Sequence, residues 1–175
     1  MADLAALLTR VTLLVFSASV TLYIISFTVT RVPTLGVPVS GVLPSDLRDS
    51  FEEPREGARE HGAIDIEAPE GTAVVAAAGG IVRRISASPL GGNGVYLIDR
   101  GGGLCHYYGH LSRYAPGLEE GRLASRGEVL GFVGSTGNAS ADAPHLHFAV
   151  FPLQSNGSCA LDQPLNPYSL LTDVK

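Results

Sequence analysis

Apolar positions between residues 63 and 151 come in short bursts rather than in helical rows. The bursts are Ala63–Ile66, Ala73–Ala78, Ile81–Ile85, Gly94–Ile98, Leu104–Tyr108, Val129–Val133 and His145–Phe151. All are of strand length and rich in β-branched or aromatic residues. Glycine clusters stand between them, GG at 79–80, GGNG at 91–94 and GGG at 101–103, and these turn the chain. After residue 31 no segment sustains an apolar period of 3.6 over several turns. The pattern predicts a mainly β domain over residues 45–175, an antiparallel β-sandwich or partly open barrel. A short terminal element is expected from Asn166 to Leu171.

The N-terminus has a different pattern. From Val11 to Val29 the chain is uncharged and mostly apolar, and about 20 such residues cross a bilayer as a helix. A signal peptide is the competing expectation, but its apolar region runs about 7 to 15 residues before a small-residue cleavage site. No A-x-A pattern follows Val29. One transmembrane helix is therefore expected to precede the β domain, an uncleaved anchor over residues 11–31, after a short cytoplasmic N-terminus at residues 1–10. Arg10 before the span and Arg31 after it leave only a slight charge bias for orientation. Residues 32–44, VPTLGVPVSGVLP, hold three prolines and two glycines and read as a linker. At about 3.3–3.6 Å per residue its reach is at most roughly 45 Å.

With 175 residues, 45% apolar content and a net charge of -5, the chain fits one modest domain plus an appendage. The single lysine is Lys175 and the arginines are dispersed, so nucleic-acid binding has no basic patch to rest on. A biotin or lipoate carrier lacks its lysine. No P-loop is present either, since GSTGNASADAP at residues 134–144 lacks the lysine and the strand-to-helix context. Cys105 and Cys159 lack metal-ligand spacing and are open between one disulfide and two free or buried thiols.

Four of the five histidines, with one aspartate, form spaced pairs: His61 and Asp65 in HGAID, His110 in YYGHLS, and His145 and His147 in PHLHF. Residues i and i+2 of a strand share a face, and i and i+4 coincide on either a strand or a helix, so each pair can converge. A catalytic zinc takes three protein ligands and keeps a fourth position for water, and two His plus one Asp meet that need. Such a site lowers the pKa of its water to about 7. HExxH is absent, and with it the usual glutamate base. A histidine must substitute. If LCHYYGH is a strand, His106, Tyr108 and His110 share a face; His106 is left out of the catalytic set.

The stretches HGAIDIEAPEGTAVVAAAGGIV, YYGHLS and GEVLGFVGSTGNASADAPHLHFAV resemble the lysostaphin-type (LytM-like) zinc metallopeptidases of bacterial peptidoglycan, over roughly residues 45–170. The resemblance implies a LytM fold of the duplicated-hybrid-motif type. It implies His61, Asp65 and His147 as Zn2+ ligands and His110 and His145 as the catalytic pair beside the water and substrate. Which of the two does more is open. Arg55 stands where some relatives have a tyrosine thought to contact the oxyanion.

The function so implied is a zinc-dependent endopeptidase cutting peptide crosslinks, with peptidoglycan stem peptides as partner. Arg55, Arg59 and Arg113 are available to meet stem-peptide carboxylates. The compact, anchored form is more similar to relatives of the Gram-negative type that cut D-alanyl crosslinks. The expected location is the inner membrane, single-pass, with the domain on the periplasmic side. Two rivals remain: a catalytically silent relative that activates another wall hydrolase, and a phosphohistidine transfer module. The first usually loses ligands that are all present here; the second belongs in the cytoplasm, against the N-terminal span. A protein regulator of the enzyme is a possible further partner.

Overall fold

The computed structural model describes residues 35–172, apart from residues 56, 58 and 102. The N-terminal segment 1–10 and the span expected over 11–31 lie outside the described residues. Among those described, no helix is long and apolar enough to cross a membrane.

Eleven strands follow in order: β1 Pro54–Arg55, β2 Arg59–Glu60, β3 Ile64–Glu67, β4 Ala73–Val75, β5 Gly80–Ser88, β6 Gly92–Asp99, β7 Leu104–Leu111, β8 Arg113–Tyr114, β9 Leu123–Ala124, β10 Val129–Phe132 and β11 His145–Pro152. The helix α1 closes the domain at Pro167–Thr172. All seven apolar bursts of the sequence are strands. The four two-residue strands were not foreseen, because two residues leave no alternation to read.

One sheet of six strands runs β3-β11-β7-β6-β5-β9, a second runs β4-β10-β8, and β1 pairs with β2. Every pairing is antiparallel. Val82, Val95, Leu97, Tyr108, Phe148 and Val150 of the large sheet share one buried cluster with Val74 and Leu130 of the small one. The core therefore lies between two sheets, as a sandwich requires. The Tyr108 hydroxyl crosses it to accept the Ala77 amide at 3.0 Å.

One expectation is revised and one open choice is decided. Residues 35–43 are not a free linker: Leu35 and Val39 are buried in the core, Val39 bridges Val74, and Val75 donates its amide to Pro38 at 2.9 Å. The prolines and glycines shape an edge segment docked on β4, so the linker reading over 32–44 fails where the chain is described. Cys105 and Cys159, left open by the sequence, form a disulfide with Cα atoms 5.7 Å apart. The terminal element is α1, with Pro167 at its first turn and the Asn166 side chain accepting the Tyr168 amide at 2.9 Å, a side-chain cap at its start.

The outer face of the large sheet carries the functional residues. On β11, Leu146, Phe148 and Val150 point into the core, so His145 and His147 point away from it. Asp65 pairs across from His147, on the same face.

Candidate metal centre

His61 precedes β3, Asp65 lies within it, and His147 lies opposite on β11. Their donor atoms form a tight triangle. His61 Nε2 stands 3.0 Å from His147 Nδ1 and 3.0 Å from Asp65 Oδ1, and His147 Nδ1 stands 3.2 Å from Asp65 Oδ1. Donors about 2.0–2.1 Å from a tetrahedral zinc are roughly 3.3 Å from one another, so this triangle is close to the size of one face of such a site. These three side chains form the group, among the described residues, that could hold a metal ion.

Tautomers sharpen the test. The His61 Nδ1 lies 3.0 Å from the Ser50 carbonyl, which can only accept, so Nδ1 carries the proton and Nε2 offers a lone pair. A carboxylate oxygen also brings only lone pairs. One proton on His147 cannot serve both neighbours, whereas one divalent cation satisfies all three donors. Asp65 agrees with this: burial pushes its carboxyl up, but hydrogen bonds and charge from His147 and His61 hold it far below the usual carboxylate range. Burial also lowers His147, which keeps the imidazole neutral and able to donate a lone pair.

The structure brings the other two histidines to the same place. The His110 ring centroid is 5.0 Å from that of His145 and 5.5 Å from that of His147. His145 Nε2 is 3.7 Å from Asp65 Oδ1. Both rings are oriented like His61: His110 Nδ1 donates to the Thr136 carbonyl at 2.8 Å and His145 Nδ1 to the Ala143 carbonyl at 2.9 Å. Each therefore presents a bare Nε2. Burial first, opposed by the Thr136 hydrogen bond, sets His110 down to about 4.

His106 corrects the strand reading. Simple alternation places His106, Tyr108 and His110 together, but His106 and Tyr108 are both fully buried, and His110 lines the groove. His110 has φ +60°, a left-handed conformation rare outside glycine. The pairing of β6 with β7 shifts register between Asn93 and Val95. These two local distortions turn His110 to the outer face. Such strain costs on the order of 1–3 kcal/mol and persists where surroundings over-determine it. Here they do: the His110 amide donates to Gly91 at 2.8 Å while its ring is held by Thr136.

Two residues escaped the sequence reading. Ser50 orients His61 through its carbonyl and accepts the Asp65 amide on its hydroxyl at 3.1 Å; nothing in its surroundings flags it. Thr136 was seen only as part of a groove-wall loop. Its hydroxyl also accepts the Asn93 amide at 3.0 Å and donates to the Leu111 carbonyl at 2.9 Å. That close docking needs Gly92 and Gly137, both at positive φ, where a Cβ would come within 2.2 and 2.3 Å of the facing loop.

A groove of about 670 Å³ opens over the cluster, walled by Tyr96, Tyr107, Leu90 and the 138–140 loop. Of the arginines expected to meet carboxylates, Arg55 donates to Asp65 Oδ2 at 2.5 Å and lines the groove. Arg113 does not reach it, since its guanidinium stacks 3.7 Å from the centroid of the Phe132 ring. The side chain of Arg59 lies outside the described structure.

Comparison with known proteins agrees with this arrangement. DD-carboxypeptidase/endopeptidase Mpg of Neisseria meningitidis serogroup B is 39% identical over 112 residues, 64% of this chain and 23% of that protein. The L-Ala–D-Glu endopeptidase of Bacillus subtilis is 32% identical over 100 residues, 54% of this chain and 30% of that protein. The chain thus spans about a quarter to a third of these curated relatives. Among solved structures, the catalytic domain of lysostaphin from Staphylococcus simulans superposes with a TM-score of 0.61 at 27% identity, covering 71% of this chain and 91% of that one. The model of peptidase family M23 matches residues 59–163, more than half of the sequence, and the chain belongs to that family.

Proposed function

We propose that this chain is a zinc-dependent endopeptidase that hydrolyses peptide crosslinks of bacterial peptidoglycan. The observation that carries the reading is the convergence of three lone-pair donors, from His61, Asp65 and His147, beneath a groove into which His110 and His145 each present a bare Nε2. A zinc ion on those three ligands supplies Lewis-acid polarisation and a water of lowered pKa. Every other part of the work falls to the chain. His110, held neutral by burial and fixed by Thr136, is an acceptor already aimed at the reacting centre, so it costs no reorganisation when a proton is taken from the attacking water. The proton that His110 takes is returned to the leaving amine, while His145, nearer the mouth of the groove and also presenting a bare Nε2, accepts the water's second hydrogen and orients it for attack. Arg55 lies at the outer oxygen of Asp65 and lines the groove, where its charge can meet charge that develops on the substrate oxygen.

Export of the domain belongs to the same proposal. It is supported by the uncharged stretch Val11–Val29 and by the disulfide, a bond that persists in oxidising compartments such as the periplasm. The relative whose name reads DD-carboxypeptidase/endopeptidase favours a D-alanyl crosslink as the bond cut. The test is digestion of purified peptidoglycan by the full-length, detergent-solubilised, zinc-loaded chain, with the released muropeptides resolved by mass. New crosslink-cleaved products that a chelator abolishes and zinc restores are expected. No products from a metal-loaded chain would transfer the assignment to a regulator of another hydrolase.

A further inference from the structure

A second cavity lies on the same sheet face, and it rests on a defect in strand pairing. The register of β5 against β6 shifts between Val82 and Arg84. Val82 pairs with Leu97 and Ile85 with Val95, and all four side chains contribute to the core between the sheets. Only two residues separate Val82 from Ile85, so strict alternation would send Ile85 outward. The bulge absorbs the extra residue and leaves both Arg83 and Arg84 on the outer face, with Arg84 opposite Tyr96. Two adjacent guanidinium groups on one face of a strand arise here only through that irregularity.

These arginines line a cavity of about 420 Å³. Its far wall is the Gly157–Cys159 segment, tied to β7 by the Cys105–Cys159 disulfide. Glu120 is the one acidic lining residue, and its carboxylate already accepts the Ile85 amide at 2.8 Å. Among the described residues neither Arg83 nor Arg84 is ion-paired. The lining is therefore net cationic, with two donors uncommitted. Tyr96 lines both this cavity and the metal groove, so the two adjoin at that ring.

The pairings give the path between them. Asp65 faces His147, Ala149 faces Tyr107, Tyr107 faces Tyr96, and Tyr96 faces Arg84. The rings of Tyr96 and Tyr107 pack at 4.5 Å between centroids and pave the middle of the track. From β11 to β5 is three strand spacings, roughly 14 Å at about 4.8 Å each, and the two-residue step from His147 to Ala149 adds about 7 Å along the strand, so an extended peptide covers the roughly 16 Å with nearly five residues at about 3.3 Å apiece.

We infer that Arg83 and Arg84 form a carboxylate-binding subsite that holds an acidic group of the substrate peptide roughly four to five residues from the bond at the metal centre. The inference deepens the endopeptidase reading and rests on it for the identity of the peptide. Guanidinium forks match carboxylates, and a charge-assisted pair at a partly exposed site is expected to change affinity roughly tenfold.

The test uses the full-length, zinc-loaded chain and a labelled crosslinked stem peptide made non-cleavable by replacing the scissile amide with a secondary amine. A second peptide has its side-chain and terminal carboxylates amidated. Anisotropy reads Kd for both with the parent chain, with R83Q, with R84Q and with R100Q, the last a control that removes an exposed charge at a turn away from the cavity. The parent and R100Q are expected to prefer the carboxylate peptide roughly tenfold, and R84Q or R83Q to lose that preference. With cleavable peptides the same variants should raise KM for the acidic substrate and leave kcat within about twofold. An equal preference in all four chains, or no binding of either peptide, overturns the subsite. Loss of preference in R84Q without hydrolysis by any chain keeps the subsite and removes the endopeptidase reading, so the two fail separately.

Discussion

His106 offers a measurement in which the structure commits to a sign and a size. Its ring is fully buried, neither nitrogen has a hydrogen-bond partner, and it packs edge-on to Phe148 at 6.1 Å between centroids. Burial, opposed by the charge of Asp99, lowers its pKa from 6.5 to about 4. In the unfolded chain the imidazole takes its proton first as pH falls. Folding stability therefore drains away as pH drops from about 6.5 towards 4, by about 2 kcal/mol at pH 5 and about 3 kcal/mol below both values. Replacing His106 with leucine removes this linkage and also removes a buried polar group left unpaired, which by itself costs on the order of 1–3 kcal/mol. Urea unfolding of residues 33–175, which form one compact unit, with chelator in every sample, should show His106→Leu more stable than the parent by about 1–2 kcal/mol at pH 7.5. The gap should widen by about 2 kcal/mol at pH 5. Parallel stability curves from pH 7.5 to 5, or a variant less stable throughout, would refute the reasoning, because either result means the ring is paired or solvated in the native state.

Other outcomes follow from the site. His61→Ala and Asp65→Ala should lose zinc on dialysis, while His110→Ala and His145→Ala should keep it and lose hydrolysis by about 10²–10⁴-fold; metal analysis showing the reverse division would remove the assigned roles. Thr136→Val deletes both hydroxyl contacts that position the His110 anchor, so kcat should fall by roughly tenfold or more with zinc content unchanged. Opening the Cys105–Cys159 bridge, which closes a separation of 54 residues, should cost about 4 kcal/mol by loop-closure entropy; unfolding midpoints that do not move with reductant would contradict that figure.

The β character of the domain was legible because strand cores leave compact apolar bursts and glycines mark their ends. All seven bursts became strands, whereas β1, β2, β8 and β9 were too short to register. The site was legible for a related reason: His145 and His147, two apart on a strand, must share a face, and His61 with Asp65 adds a second local pair. Alternation failed at His110 and at Arg84, both times beside a register shift. A bulge depends on what the neighbouring strand pairs with, and one chain segment does not encode its partner.

The sequence by itself determined the seven longer strands, the side-chain chemistry gathered in three motifs, and an apolar N-terminal stretch. Tertiary structure alone decided that residues 35–43 pack as an edge rather than swing as a linker, and that Cys105 meets Cys159. It also decided that Ser50 and Thr136 fix the tautomers of His61 and His110. Each of these is a contact between positions far apart in the chain, whose existence depends on the summed register of several strands. Local propensity specifies an element, but only the packed sheet specifies which carbonyl faces which ring nitrogen.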